Sequence, residues 1–235
     1  MRTIVICGAT ATGKSDLAVD LALEIGGEII NADSMQIYKG MDIGTAKLTL
    51  NEQRGIPHHL LDVLDVTEDA TVAWYQEIAR STIAQIHARG KDVIIVGGTG
   101  LYIKAILDDL NFPDTDPEVR SRLTQEAKDF GIVKLFERLQ QLDPQAATAI
   151  DMQNQRRVIR ALEVIEITGL PFTANLPRQE SSRFPDALQF GLVMDRTVLA
   201  ERVSDRIDRM WQSGFVAEVD HLIDAGITSA TTARK

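Results

Sequence analysis

Apolar and polar positions along this chain follow two alternating rhythms. Short unbroken apolar runs, largely β-branched, alternate with stretches in which apolar residues recur every three or four positions. Thr3 to Cys7 is the first run, and a glycine-rich turn leads from it into a helix spanning Lys14 to about Ile25. Leu17, Val19, Leu21 and Leu23 make much of that helix apolar, as packing under a sheet requires. Gly26-Gly27 closes the helix, Glu28 to Asn31 reads as a second strand, and His59 to Val66 as a third. Thr71 to Ala88 keeps helical spacing through Trp74, Ile78, Ile83 and Ile86, with Gly90 ending it. Asp92 to Val96 is another strand-like run and leads into Gly97-Gly98-Thr99-Gly100.

The rhythm changes near Asn111-Phe112-Pro113. Pro117 to Thr168 is helix-rich, Phe172 to Asp186 is loop-like, and Leu188 to Met194 is strand-like again. Strands alternating with helices imply a parallel sheet with its chemistry at the carboxyl ends of the strands. The expected fold is α/β: a parallel sheet flanked by helices, with residues 1–112 and 188–235 as its core. Residues 113–187 form a helical insertion domain. Trp74 and Trp211 are read as core residues.

Composition narrows the picture only in part. The 235 residues are 44% hydrophobic and 25% charged, an ordinary balance for a globular chain. No apolar run approaches the ~20 residues of a membrane span. Ile4-Val5-Ile6-Cys7 breaks at once into Gly8, unlike the layout of a signal peptide. The single cysteine, Cys7, excludes an internal disulfide framework and fits a reducing, cytoplasmic setting. A net charge of −9 runs against a nucleic-acid partner, although a local basic cluster is enough to grip RNA phosphates.

Four segments carry candidate chemistry. Gly8-Ala9-Thr10-Ala11-Thr12-Gly13-Lys14-Ser15 matches the phosphate-binding loop in full, between a strand and a helix. Its backbone N–H groups and helix N-terminus suit a diphosphate or triphosphate, Lys14 neutralises phosphate oxygens, and the Ser15 hydroxyl suits Mg²⁺. Asp33 follows the second strand and could cap, hold Mg²⁺ through water or act as a base; strand order should put it beside Lys14. Thr99 ends another strand, either as a helix cap or as a donor to a leaving phosphate oxygen. Arg156, Arg157 and Arg160 sit on a helix of the insertion, where they suit either RNA phosphates or pairing with Glu163 and Glu166 on a solvated face. Arg202, Arg206 and Arg209 fall on one side of a late helix. His58 and His59 are adjacent, so a strand would point them to opposite faces, which is wrong for a shared metal.

Taken together, GATATGKS, INADSMQIYKGMDIGTAK, PHHLLDV, IIVGGTGLYIKAIL, RRVIRALEVIEITG and RIDRMWQSGFVAEV resemble the bacterial tRNA dimethylallyltransferases, in order and spacing along nearly the whole chain. The resemblance implies transfer of a dimethylallyl group from dimethylallyl diphosphate to N6 of adenosine-37 in the anticodon stem-loop of tRNA. It implies that the α/β core is a P-loop NTPase-like parallel sheet flanked by helices, and that the chain is a monomeric, cytoplasmic enzyme using Mg²⁺. It makes Asp33 the base, Lys14 and Thr99 its partners near the leaving diphosphate, and Arg206 a further diphosphate contact. Asp33, Ser34, Met35 and Gln36 match the segment that meets the target nucleotide. Thr99, Arg120, Arg156, Arg157, Val158, Ile159 and Arg160 correspond to the remaining tRNA-binding positions. Gln153-Asn154-Gln155 departs from the family, which more often has an Asn-Asp pair there. Family members also continue past Ala233-Arg234-Lys235, so a truncated or shortened member is expected.

Two other enzymes fit parts of the pattern. A cytokinin-type adenylate isopentenyltransferase would keep the donor and change the acceptor to a free nucleotide. A small-molecule P-loop kinase would need only the loop, but no strand here ends in an evident magnesium-binding acidic pair. A nucleotide- or RNA-binding module without turnover is the non-enzymatic alternative.

Overall fold

The computed structural model describes residues 1–110, 112–175 and 182–234. The chain divides into two units, one of Met1–Asp108 with Ser182–Lys235 and one of Asp109–Ser181. These divisions fall a few residues before the 113 and 187 expected from composition.

The first unit is built on five parallel strands. They are β1 (Thr3–Gly8), β2 (Glu28–Asn31), β3 (His58–His59), β4 (Val93–Gly97) and β5 (Leu188–Leu192), in the order β3-β2-β4-β1-β5. β2 and β4 are buried along their whole length; β4 is accordingly apolar throughout, while β2 pairs its buried Ile29 and Ile30 with two buried polar residues, Glu28 and Asn31. Helix α1 (Lys14–Ile25) covers one face through Ala18, Val19 and Ala22, while Leu17 and Leu23 point away from it. Helices α2 (Val72–Ala88) and α3 (Gly100–Leu107) cover the other face, where Ile83 and Ile106 are buried with Val5, Ile30 and Ile95. Each such side chain contributes ~1.5–3 kcal/mol through removal from water. Tyr75 stacks on Tyr102 at 3.8 Å and donates its buried hydroxyl to the Asn31 carbonyl, tying α2 and α3 to the end of β2.

The third strand is two residues long, not the eight expected. Leu60 (φ 62°) and Asp62 (φ 54°) adopt left-handed conformations that end extension at once. The N–H groups of Val63 and Leu64 donate instead to the Ile37 carbonyl. The register Cys7↔Gly97 and Asn31↔Val96 aligns the carboxyl ends of β1, β4 and β2 at one edge. The chain leaves that edge as three neighbouring loops, which carry Asp33 and Thr99 and lead into Lys14 at the start of α1.

The second unit consists of α4 (Pro117–Phe130), α5 (Ile132–Leu142), α6 (Pro144–Ala149) and α7 (Gln155–Thr168) around Leu123, Leu135, Leu139 and Leu162. Val158 and Ile159, expected among the RNA contacts, have their side chains buried in this core and turned away from solvent. Back in the first unit, α8 (Arg196–Gln212) and α9 (Phe215–Asp224) follow β5. Trp211 is 59% exposed and meets Phe215 edge-on at 6.0 Å, so it is not a core residue. Trp74 is partly buried against the sheet core. No helix among the described residues is long and apolar enough to cross a membrane.

Candidate active site

The phosphate loop is set by its glycines. Gly8 has φ +152°, and a Cβ there would lie 2.6 Å from the Leu192 carbonyl oxygen; Gly13 has φ +85°. The Thr12 hydroxyl donates to the Ala9 carbonyl at 2.9 Å, and Lys14 Nζ donates to the same oxygen at 2.6 Å. No side chain caps the start of α1, so its first N–H groups remain open to an anion.

Across the end of β4, Asn31 holds Asp33 in a tight turn. Asn31 Oδ1 accepts from Asp33 N–H at 3.0 Å, and Asn31 Nδ2 donates to the Asp33 carbonyl at 3.1 Å. Asp33 Oδ1 accepts from Met35 N–H at 2.9 Å, and the carboxylate borders the cavity that Lys14 and Ser15 also line. Thr99 occupies the N-cap position of α3 but caps nothing with its side chain. Its hydroxyl accepts from Ser34 N–H at 3.0 Å and donates to Ser34 Oγ at 3.3 Å. The geometry thus makes Thr99 a clip on the Asp33–Ser34 segment.

Gln36 Nε2 donates to the Thr45 carbonyl at 3.0 Å, fixing the cavity's far wall, residues 42–49. Lys47 in that wall is almost fully buried and bonds to Asp42, Asp62 and the Tyr38 carbonyl. Helix α8 forms the remaining side. Arg206 Nη1 donates to Thr10 Oγ1 at 3.0 Å, and Arg202 Nη1 reaches the Ala11 carbonyl at 3.5 Å. The cavity, open to solvent on one side, has a volume of about 610 Å³.

This cavity concentrates cations. Burial lowers the Lys14 pKa below its ordinary value; Asp33 opposes the shift and Arg206 adds to it. Burial likewise lowers Arg206, with Asp33 opposing and Arg209 adding. Such a cluster, facing open N–H groups, is matched to a polyanion. Among the described residues no group of three or more His, Cys, Asp or Glu side chains could hold a metal. Ser15 and Asp33 both border the cavity, and that sparse oxygen set suits an ion that takes its other ligands from phosphate and water, as Mg²⁺ does. His59 Nε2 bonds to Glu28 at 2.7 Å and His58 Nδ1 to the Ile56 carbonyl at 2.8 Å, so the pair serves separate structural roles.

In the helical unit, Arg120 and Arg160 both bind Glu163, whose side chain is 0% exposed, at 2.7 and 2.9 Å. The expected solvated partner is therefore a buried one. Arg160 also donates to the carbonyls of Pro113 and Asp114. Arg156 and Arg157 are exposed, and their side chains have no partner among the described residues. Sequence reasoning missed Glu163's burial, the wall at 42–49 and Glu218, whose carboxylate accepts from the N–H groups of Asp42, Ile43 and Gly44 in that wall. Each depends on contacts between residues far apart in the chain, and no local pattern signals them.

A parallel sheet whose first strand runs through a glycine-rich loop into a helix, with a carboxylate on the loop after a neighbouring strand, defines a P-loop-like fold. The sequence model described as IPP transferase matches residues 36–235, and the chain belongs to that family. A tRNA dimethylallyltransferase of Streptomyces griseus is 56% identical over 234 residues, covering 100% of this chain and 74% of its own. One from Thermobifida fusca is 55% identical over 241 residues, covering 100% and 75%. Among solved structures, the tRNA isopentenylpyrophosphate transferase of Bacillus halodurans matches with a TM-score of 0.66 at 40% identity, covering 100% of this chain and 74% of the other. A eukaryotic dimethylallyltransferase acting on tRNA matches with a TM-score of 0.81 at 30% identity, covering 98% and 58%.

Proposed function

We propose that the chain moves a dimethylallyl group from dimethylallyl diphosphate to N6 of adenosine-37 beside the tRNA anticodon, giving N6-isopentenyladenosine. The carrying observation is the single cavity that brings Asp33, Lys14, Ser15 and Arg206 together. Family membership and the names of the relatives support the acceptor and the transferred group.

The diphosphate lies against the open N–H groups of α1, where its oxygens replace the Ala9 carbonyl as partner of Lys14. Arg206 turns from Thr10 onto the same anion. Ser15 would hold Mg²⁺, which would supply further positive charge for the leaving group. The target adenine leaves its stack to reach the cavity. Its exocyclic nitrogen is a weak nucleophile because the lone pair is delocalised into the ring. The N6–C bond forms as the allylic C–O bond breaks, and that bond's electron pair leaves on the diphosphate oxygen. Asp33 takes the N6 proton. Thr99 acts through Ser34, holding the Asp33–Gln36 segment against the nucleotide. Arg156 and Arg157, exposed and without side-chain partners among the described residues, are the cations offered to the anticodon stem-loop, whereas Arg120 and Arg160 build the scaffold that presents them.

The test is transfer of labelled dimethylallyl diphosphate, with Mg²⁺, to unmodified tRNA and to AMP in parallel. Label in tRNA alone is expected. Label in AMP would move the acceptor to a free nucleotide, and label in neither would refute the transfer reading. Asp33→Asn should lower turnover by ~10² or more while leaving donor binding nearly intact. Normal turnover in that variant would remove Asp33 from the mechanism.

A further inference from the structure

Helix α8 carries Arg202, Arg206 and Arg209 to the cavity, yet none of its residues is buried. Core packing of its own therefore does not hold it over the phosphate loop. It continues through Ser213-Gly214 into α9, and one face of α9 is firmly seated. Phe215, Glu218 and Leu222 share that face at helical spacing. Leu222 is buried with Ile37, Tyr38 and Leu64. Phe215 lies so close to Gly44 that a Cβ there would come within 2.7 Å of its ring. Between them, Glu218 Oε2 accepts from the N–H groups of Asp42 (3.0 Å) and Ile43 (2.6 Å), and Oε1 accepts from Gly44 N–H (3.0 Å).

Three successive backbone N–H groups thus close on one carboxylate, an anion-binding nest filled from within the chain. The same segment begins the cavity wall at residues 42–49. Glu218 therefore joins two segments that line the cavity, residues 42–49 and, through α9, the helix bearing Arg206. We propose that Glu218 is a positioning residue for the donor. By tying Asp42, Ile43 and Gly44 to α9 it sets the separation between Arg206 and the phosphate loop, and hence how tightly a diphosphate is clasped. It touches neither substrate nor reacting atoms. This inference rests on the reading that the cavity binds a diphosphate.

The experiment measures binding of inorganic pyrophosphate and of dimethylallyl diphosphate to the whole chain, alongside hydrogen exchange at residues 41–49. Glu218→Ala should weaken both ligands on the order of tenfold, because displacement of a charged wall by a fraction of an ångström misplaces the clasp. Exchange at 42–44 should rise, and KM for the donor should rise more than kcat falls. Glu218→Gln keeps one acceptor oxygen and should lie between. Gly44→Ala pushes the same wall from the Phe215 side without removing a charge, and should also raise KM for the donor, even if Glu218→Ala proves unable to fold. Pyrophosphate affinity within twofold of the parent in the folded variants, with exchange at 42–44 raised, would overturn the proposal. A parent chain that binds neither ligand would instead strike the diphosphate reading itself.

Discussion

Replacing Glu163 with alanine should loosen the helical unit selectively. Its two carboxylate oxygens accept from Asp116 N–H (3.0 Å), Arg120 Nε (3.2 Å) and Nη2 (2.7 Å), and Arg160 Nη1 (2.9 Å). Removing one member of a buried ion pair costs about 3–5 kcal/mol, chiefly by stranding its partners. Two features keep the cost low in that range. The Arg120 side chain is 48% exposed and can turn to water, and Arg160 retains the Pro113 and Asp114 carbonyls. About 3 kcal/mol follows, which corresponds to roughly a hundredfold loss of amide protection. Hydrogen exchange on the whole chain reads this directly, because α4 and α7 report the helical unit while β1 and β4 report the sheet. Protection in α4 and α7 should fall about a hundredfold with β1 and β4 unchanged. Glu163→Gln keeps an acceptor but loses the charge, and should fall roughly half as far on the logarithmic scale. A loss below about threefold for alanine would show that the two arginines do not depend on this carboxylate, and would free Arg120 and Arg160 for RNA.

Arg157→Ala should weaken tRNA binding and reduce the slope of log K against log salt by about one phosphate contact, measured by filter binding across salt concentrations. An unchanged slope would return Arg157 to a merely solvated role. Gly97→Ala would set a Cβ 2.2 Å from the Ala32 carbonyl oxygen, so β2 and β4 must separate. It should cost roughly 2–3 kcal/mol in unfolding and loosen the Thr99–Ser34 clip, and a near-neutral melting shift would contradict the close approach. Donor affinity should fall as pH rises through the Lys14 pKa of the free protein, since only the ammonium pairs with diphosphate. Because burial lowers that pKa, the fall should begin below the ordinary lysine range of about 10.4, and a titration flat up to that range would refute it.

Local rules alone place most of this protein. The runs at Thr3–Gly8, Glu28–Asn31 and Val93–Gly97 read as strands and are strands, and GATATGKS between a strand and a helix matches the pattern of a phosphate-binding loop. Alternating strands and helices imply a parallel sheet, and with it the edge at which Lys14, Asp33 and Thr99 emerge. The failures share a cause. His59 to Val66 has strand composition, but backbone geometry at Leu60 and Asp62 ends the strand, and that geometry is set by bonds to Ile37. Glu163 looks like one more acid on a charged helix, and only the approach of α4 buries it against Arg120. Val158 and Ile159 stand within an arginine run, yet helical rotation turns them inward. Thr99 sits where a cap belongs, and its hydroxyl bonds to a loop 65 residues away in sequence. Residue type and spacing determine which groups can do chemistry; which partners they meet depends on contacts between distant segments, whose energies no local pattern encodes.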